Sequence, residues 1–569
     1  MLDMWFKSRA VQLVAGFVTL CALPPWVWAE AADYVFKNAN VYTLNSASPW
    51  AEAVAVRGNK IVYVGANSGL DKFVSNDTKV IDLEEKMVLP GFIDTHAHPV
   101  FAAAVAHGFS LPYGGSVDEW LEIIKDYADA NPQLKAIYGQ GFLAATFGTG
   151  GPNKALLDEI VPDRPVVLMD EGAHSAWVNS KALELAGITS STPDPVPGTH
   201  FYKRNAQGEL TGWCKEAMTF MPMMEKLGVL SKETIIAGAD EVFSMFKQFG
   251  VTTVYDAGFF QFEHFSYPAV SQLEKSGRLP FRLIASNMIQ STAHVESAID
   301  TLKSYNRKYS SELIRPRVMK IHNDGTTEIF TAAQFEDYEN QPGNKGSVLL
   351  GGEKLQNFVA NIDAAGFDIH IHAIGDRAVD EALDAFEVAR KLNPNSKSRY
   401  SIGHAVSVRD QDLNRFAALN VVAQTTPFWA ALGGELHASQ LYRFREIINS
   451  GARVSFGSDF YGPISGGYNY FFAPLLNIEM GMTRKFPGEK AVPVTPPGDA
   501  LLSLEEMIRG YTLDAAYQLN MENEIGSIEP GKLADLIVID RNLFDLDTYE
   551  IHKTQVNMTM MNGKVVYQQ

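Results

Sequence analysis

Eight short apolar segments, separated by helix-like stretches, constrain the fold of this chain more than any other feature. They are VLPGFIDTH (88–96), GVTTVYDAG (250–258), LPFRLIAS (279–286), RVMKIHNDG (317–325), FDIHIHAIG (367–375), RYSIGHA (399–405), NVVAQTTP (420–427) and RVSFGSD (453–459). A strand buried on both faces reads as a nearly unbroken apolar run, and strands alternating with helices mark a parallel sheet with crossover helices. Eight such units predict an α/β protein built on a (β/α)8 TIM barrel, whose active site lies where the strands end. The polar residues His96, Lys320, His372, His404 and Asp459 mostly fall near those C-terminal ends.

Both ends of the chain read differently. Near the N-terminus, DYVFKNANVYTL, AVAVRGNKIVYVG and TKVIDL alternate apolar and polar residues, with Gly58-Asn59 as a hairpin turn. Near the C-terminus, GSIEPGKLADLIVID is followed by VNMTMMNGKVVY, which turns at Asn562-Gly563. These stretches predict one small β-sandwich from residues 32–88 and 516–569, with two separate β caps as the alternative. The barrel then occupies 89–515. The gap between its first two strands, about 150 residues, far exceeds what one crossover helix needs. Residues 102–247 therefore read as an insertion with its own strands (AIYGQGF, PVVLMDEG) and a helix starting near Asn179. Placed after a barrel strand, it projects from the catalytic face and is expected to act as a lid.

The first residues form a third kind of sequence. Lys7 and Arg9 precede an apolar run from Ala10 to Leu23, and the small residues Ala29 and Ala31 follow. That is the order of a secretory signal peptide, here residues 1–31. The run falls short of the roughly 20 apolar residues of a spanning helix; an uncleaved anchor is the alternative. Cys21 follows Leu20, too bulky for a lipoprotein signal. Export to a bacterial periplasm or the medium is expected, with no membrane association once the leader is gone. Cys214 is the only other cysteine, so the mature chain forms no internal disulfide. A formal charge of −18 argues against nucleic acid as a partner. A small-molecule substrate is expected, and a homodimer is compatible with the sequence.

The chemistry starts at His96 and His98. In a strand, residues i and i+2 share a face, so HAH can offer two imidazoles to one metal. His372, His404 and Asp459 end later strands, and imidazoles with a carboxylate suit zinc and similar divalent ions. Each has a plainer reading, His372 as a satisfied core histidine and Asp459 as a helix N-cap after Gly457-Ser458. His370 competes with His372, and His322 stands in the same relation to Lys320. Lys320 lies in an apolar strand, where a buried ammonium is costly. Either it pairs with Asp324 or Asp459, or it is neutral and has reacted with carbon dioxide to give a carbamate.

GFIDTHAH, VMKIHNDG, HAIGD, IGHA and FGSDF, in this order, resemble the amidohydrolase superfamily. PGKLADLIVID is similar to that superfamily's closing β segment. SAWVNSKALELAGI (175–188) resembles the branch of N-substituted formamide deformylase-like enzymes in particular. The likeness spans roughly residues 34 to 567, nearly the whole mature chain. It implies metal ligands His96, His98, Lys320 (as carbamate), His372, His404 and Asp459, holding two zinc ions bridged by carboxylated Lys320. It further implies a metal-activated hydroxide that attacks an amide-type carbonyl, with Asp459 shuttling the proton. His174, Trp177 and Asp324 are candidates for oxyanion and substrate contact. Where this branch shows Asp-Gly-His before SAWVNS, this chain reads Glu171-Gly172-Ala173-His174, one residue longer. An esterase or lactonase on the same centre, or a non-catalytic binding or regulatory protein that keeps the barrel, are the competing readings.

Overall fold

The computed structural model describes residues 31–112, 114–432, 441–462, 472–494 and 501–569. The expected leader, apart from Ala31, lies outside them. Eight parallel strands form one sheet in sequential order: β1 (Phe92–Ala97), β2 (Val251–Asp256), β3 (Arg282–Ile289), β4 (Ile314–His322), β5 (Asp368–Ala373), β6 (Tyr400–His404), β7 (Val421–Thr425) and β8 (Val454–Phe456). The sheet curls until β8 meets β1. There the Asp459 N–H donates to the His96 carbonyl at 2.6 Å, and the Ser458 N–H and hydroxyl donate to Asp94 at 3.1 and 2.5 Å. Gly457 makes this seam possible, because a Cβ there would stand 2.5 Å from the His96 nitrogen. The closure therefore positions two expected site residues, His96 and Asp459, against each other.

Three expected segments differ from the strands found, each for a local reason. The run 88–96 divides at Gly91 into Met87–Pro90, which belongs to a terminal sheet, and β1. β3 starts only at Arg282, because Pro280 has no N–H to give to a ladder. β4 starts earlier, at Ile314, and tolerates Pro316 because the register with β3 slips there, between Ala285 and Ser286.

The two ends of the chain share one sheet. Its order is Lys564–Gln568, Val556–Met561, Leu536–Ile539, Met87–Pro90, Asn40–Tyr42, Trp50–Ala51. Leu536–Ile539 and Met87–Pro90, from opposite ends, pair antiparallel within it. A second sheet of Lys60–Gly65, Ala53–Arg57, Tyr34–Lys37 and Lys79–Asp82 faces it. Phe36, Val54, Val56, Val88, Leu536, Val538 and Met558 form one apolar cluster across both. Two separate caps would not share a core. The Asn562-Gly563 turn has positive φ at both residues (53° and 74°), the type I′ geometry suited to a two-residue hairpin.

A buried ion pair ties this β unit to the barrel. Arg282 Nη1 of β3 lies 2.5 Å from Asp535 Oδ2 with both side chains nearly inaccessible. Asp535→Ala would strand a buried guanidinium and is expected to cost about 3–5 kcal/mol, read as a lower urea midpoint of the first unfolding transition. The double change Arg282→Met, Asp535→Leu should cost less, because it leaves no buried charge unpaired.

Between β1 and β2 the chain builds a separate six-stranded sheet. Its order is Phe201–Arg204, Leu210–Lys215, Ser175–Val178, Val166–Asp170, Ile137–Phe142, Phe109–Ser110. The helix Ser180–Ala186 is capped by Asn179, whose side chain accepts from the Ala182 N–H. The helix Lys232–Gln248 then leads into β2. That helix packs against Pro99–Val105 so closely that a Cβ at Gly238 would lie 2.1 Å from the Ala103 carbonyl.

Candidate active site and metal centre

Strand register aims the site residues. β4 and β5 pair with Lys320 beside His370 and His322 beside His372, so alternation sends all four side chains to one side, into the barrel. His98 follows β1, His404 ends β6 and Asp459 lies in the loop after β8. His404, Ala405 and Asp459 have φ of 73°, 43° and 52°. Non-glycine residues seldom adopt left-handed backbone, and such strain collects at functional sites.

These residues converge. Asp459 Oδ1 lies 3.4 Å from His98 Nε2 and 3.6 Å from His96 Nε2. Its other oxygen is 4.0 Å from His404 Nδ1, and Lys320 Nζ is 3.4 Å from His96 Nε2. One possible ligand atom from each of His96, His404 and Asp459 lies within 4.8 Å of the others. All are buried except for the edge of Asp459.

Outer partners fix the tautomers. The His98 Nδ1–H donates to the Gly258 carbonyl at 3.0 Å, an atom that can only accept. His96 Nδ1 lies 2.8 Å from Gln424 Oε1, which also accepts from the His404 N–H at 3.3 Å. His372 Nδ1 lies 3.0 Å from Asp324 Oδ1. With the proton on Nδ1, each ring keeps a bare Nε2, the arrangement by which metal-binding histidines are held. His372 Nε2 and His404 Nδ1 are buried with no hydrogen-bond partner. Buried polar atoms seldom stay so, and a cation supplies what these lack.

Burial and neighbouring charge set the protonation. Burial pushes the Lys320 amine down to about 7, although Asp459 and Asp324 oppose it. The amine forms no ion pair with either carboxylate; its close polar neighbour is His96. Burial would raise the Asp459 carboxyl, but the adjoining His98 and His404 rings and the Lys320 amine outweigh it and bring the group down to about 2. Burial also drives His96, His370 and His372 well below the ordinary imidazole range, and His404 to about 3. Neutral imidazoles around an ionised carboxylate can hold a divalent cation.

The remaining expected residues divide. His370 sits behind His96, its Nε2 at 3.1 Å from His96 Nδ1 and its Nδ1 at 2.8 Å from Ser401 Oγ. His174 reaches the site in spite of the extra residue before it. A turn with Ala173 at φ 61° absorbs the insertion, and Asp170 accepts the His174 N–H at 2.8 Å. His174 then stands 5.4 and 5.6 Å, ring to ring, from His322 and His372. Glu216, 2.7 Å from its Nδ1, raises its pKa to about 9 against the opposing effect of burial. The Asp324 carboxylate is taken up by the N–H groups of Ala333, Ile374 and Gly375 and by His372. Trp177 is not at the site. Its ring packs on Phe142 and Phe147 in the insertion's own core, with Nε1 donating to the Asn153 carbonyl.

Sequence reasoning missed Glu216, His200 and Gln424. Gln424 lies in a segment read correctly as a strand, but nothing marks its amide as the partner of His96, far away in sequence. Glu216 and His200 lie in the insertion and carry no motif.

The sequence model of the amidohydrolase family matches residues 79–567. Exoenzymes regulatory protein AepA of Pectobacterium carotovorum subsp. carotovorum is 33% identical over 438 residues, 75% of this chain and 90% of that protein. N-substituted formamide deformylase of Arthrobacter pascens is 27% identical over 558 residues, 95% of this chain and 99% of that protein. Among solved structures, an uncharacterized metal-dependent hydrolase from Pyrococcus horikoshii OT3 superposes with a TM-score of 0.70 at 24% identity, covering 90% of this chain and 99% of its own.

Proposed function

The chain belongs to the amidohydrolase family and is a hydrolase, and from that premise we propose that it cleaves an amide-type C–N bond in an N-acyl or N-formyl amine or a cyclic amide. The observation that carries this reading is the meeting of His96, His98, Lys320, His404 and Asp459 at the mouth of the barrel, with His372 beside them. The donor set fits a divalent cation of the zinc type: bare imidazole nitrogens, one ionised carboxylate and two orphaned buried nitrogens. His96, His98, His372, His404 and Asp459 would hold it. Lys320 would join them as a carbamate, supplying anionic oxygen in place of an ammonium. A neutral amine is the form that adds carbon dioxide, releasing a proton, and burial favours that form here. Such ions supply Lewis-acid polarisation of a carbonyl and a lowered pKa for water.

The residues of the chain do the rest. Asp459, ionised and next to the imidazoles, accepts the proton of the attacking water and returns it to the departing amine nitrogen. Gln424 and the Gly258 carbonyl keep His96 and His98 turned towards it. The insertion, reaching the mouth through His174, acts as a lid that excludes water. The likeness to N-substituted formamide deformylase supports N-formyl amines as the first substrates to try. A purely regulatory role, which the name of the Pectobacterium relative suggests, would not require ligand-type residues to be buried together at a barrel mouth.

The test is metal content beside turnover. A panel of N-formyl amines, N-acyl amines, cyclic amides, esters and lactones is to be assayed before and after chelation. Turnover of at least one amide is expected, lost on chelation and restored by zinc. A metal-free protein that folds normally and turns over none of the panel would refute the proposal, and ester-only turnover would refute its C–N specificity.

A further inference from the structure

The insertion brings a buried carboxylate to the edge of the centre. Glu216 follows strand Leu210–Lys215 and His174 precedes strand Ser175–Val178, and these strands pair antiparallel with Ser175 opposite Lys215. The Glu216 N–H donates to the His174 carbonyl at 2.6 Å. Its side chain returns to the same residue, with Oε2 2.7 Å from His174 Nδ1. This double clasp holds Glu216 at φ 64°, left-handed backbone that a glutamate adopts only at a cost. The Glu216 side chain is fully buried.

Its other oxygen crosses to the barrel. The Thr331 hydroxyl, in the segment after β4, donates to Glu216 Oε1 at 2.6 Å. Gly325 leaves room for that bond, because a Cβ there would lie 2.2 Å from Oε1 and 2.1 Å from Thr331 Oγ1. Among the described residues, the one ion-pair partner of Glu216 is His174. Lys215, its neighbour in the chain, gives its ammonium to the Ile329 carbonyl at 3.1 Å and to the face of Trp213.

Burial favours a pair without net charge. In that form the shared proton lies on the 2.7 Å bond between Oε2 and Nδ1, and His174 Nε2 carries the second hydrogen. This donor is also within reach of substrate. His174 keeps 15% of its side-chain surface exposed and Asp459 14%, whereas His96, His98, His372 and His404 keep 8% or less. The His174 ring stands 5.6 Å from that of His372, and the Asp459 carboxylate is close enough to act on it electrostatically.

We propose that Glu216 is a positioning residue for the hydrolysis, fixing the His174 ring so that the insertion supplies an N–H to the substrate's carbonyl oxygen while Asp459 handles the attacking water. The inference rests on the hydrolase reading of the site, but on the carbonyl rather than on the group that leaves. A fixed donor aimed where negative charge develops favours the transition state over the bound substrate. The insertion is then a working part of the site as well as its cover.

Kinetics of the metal-loaded enzyme with the fastest substrate of the panel above, beside bound metal for each variant, test this. His174→Leu should lower kcat by ~10²–10³-fold, the usual loss for one oxyanion donor, with KM and bound metal nearly unchanged. His174→Gln, whose amide puts an N–H near the place of Nε2, should recover part of that loss. Glu216→Gln keeps the shape and the bond to Thr331 but not the charge, and should lower kcat at unchanged KM. In the His174→Leu background the same change should cost nothing further, because no ring is left to position. His174→Asn, too short to reach the carbonyl, gives the same comparison if the leucine variant folds poorly. An equal loss in both backgrounds would make Glu216 a structural tie to Thr331 and overturn the inference. Normal kcat or lost metal in His174→Leu would overturn it as well. With ester-only turnover the C–N reading falls, yet the same pattern of kcat losses would support this inference. An unaltered enzyme that holds metal and cleaves nothing would overturn both.

Discussion

Replacing Asp459 by Asn is expected to lower kcat by ~10²–10⁴-fold, the usual loss when a general acid–base is removed, while metal content falls only modestly. The backbone makes this a clean substitution. Asp459 sits at φ 52°, and Asn accepts left-handed backbone better than most residues. Its N–H continues to donate to the His96 carbonyl across the closing seam of the barrel. The amide keeps an oxygen near His96 and His98 but has no basicity. Because neighbouring charge holds the carboxyl at about 2, the aspartate is ionised throughout the neutral range. Loss of kcat should therefore be uniform from about pH 5 to 8 for a group titrating so far below that window. His96→Ala serves as the contrast and should deplete metal and activity in parallel. An Asp459→Asn enzyme with its metals in place and near-normal kcat would remove the proton shuttle from the mechanism.

Lys320→Ala should cost metal and activity together. Losing a Lewis-acid centre worth several kcal/mol corresponds to about a thousandfold in rate. The lysine lies in β4, 3.4 Å from His96 Nε2, and no carboxylate among the described residues pairs with it, so its removal breaks no ion pair there. A short carboxylic acid in excess should restore part of both losses, because it can fill the space of the carbamate and supply two oxygens. The readouts are metal stoichiometry and kcat, with and without acetate. Full metal content and normal turnover in Lys320→Ala would show that the lysine is a packing residue.

The barrel was legible because its strands are covered on both faces. Burial leaves runs such as those around Ile284 and Ile371 almost wholly apolar, and the few polar residues that interrupt them near their ends stand out. His96, Lys320, His372, His404 and Asp459 could all be picked out in this way. The union of the two termini was suggested by matching β patterns at both ends, but pairing of Leu536–Ile539 with Met87–Pro90 is a long-range event that no local signal encodes.

Side-chain roles were less legible, because they depend on what packs opposite. Trp177 has the sequence context of a site residue, yet it points into the insertion's core, where Phe142 and Phe147 cover it. Asp324 reads as a free carboxylate in VMKIHNDG, but the folded chain brings Ala333, Ile374 and Gly375 around it and turns it into the anchor of His372. Glu216 and His200 had no signal at all. Their meaning comes from the insertion lying against β4 and β5, which places them beside His174 and His322.

By itself, then, the sequence determined the period of the strands, the residue types at their ends and the class of ion those types can hold, because alternation and burial act along the chain. Which nitrogen each histidine presents was decided only by tertiary structure. Gln424, Gly258 and Asp324 fix the tautomers of His96, His98 and His372 across separations of 328, 160 and 48 residues. A hydrogen bond between groups so far apart in the chain forms only after the barrel has closed.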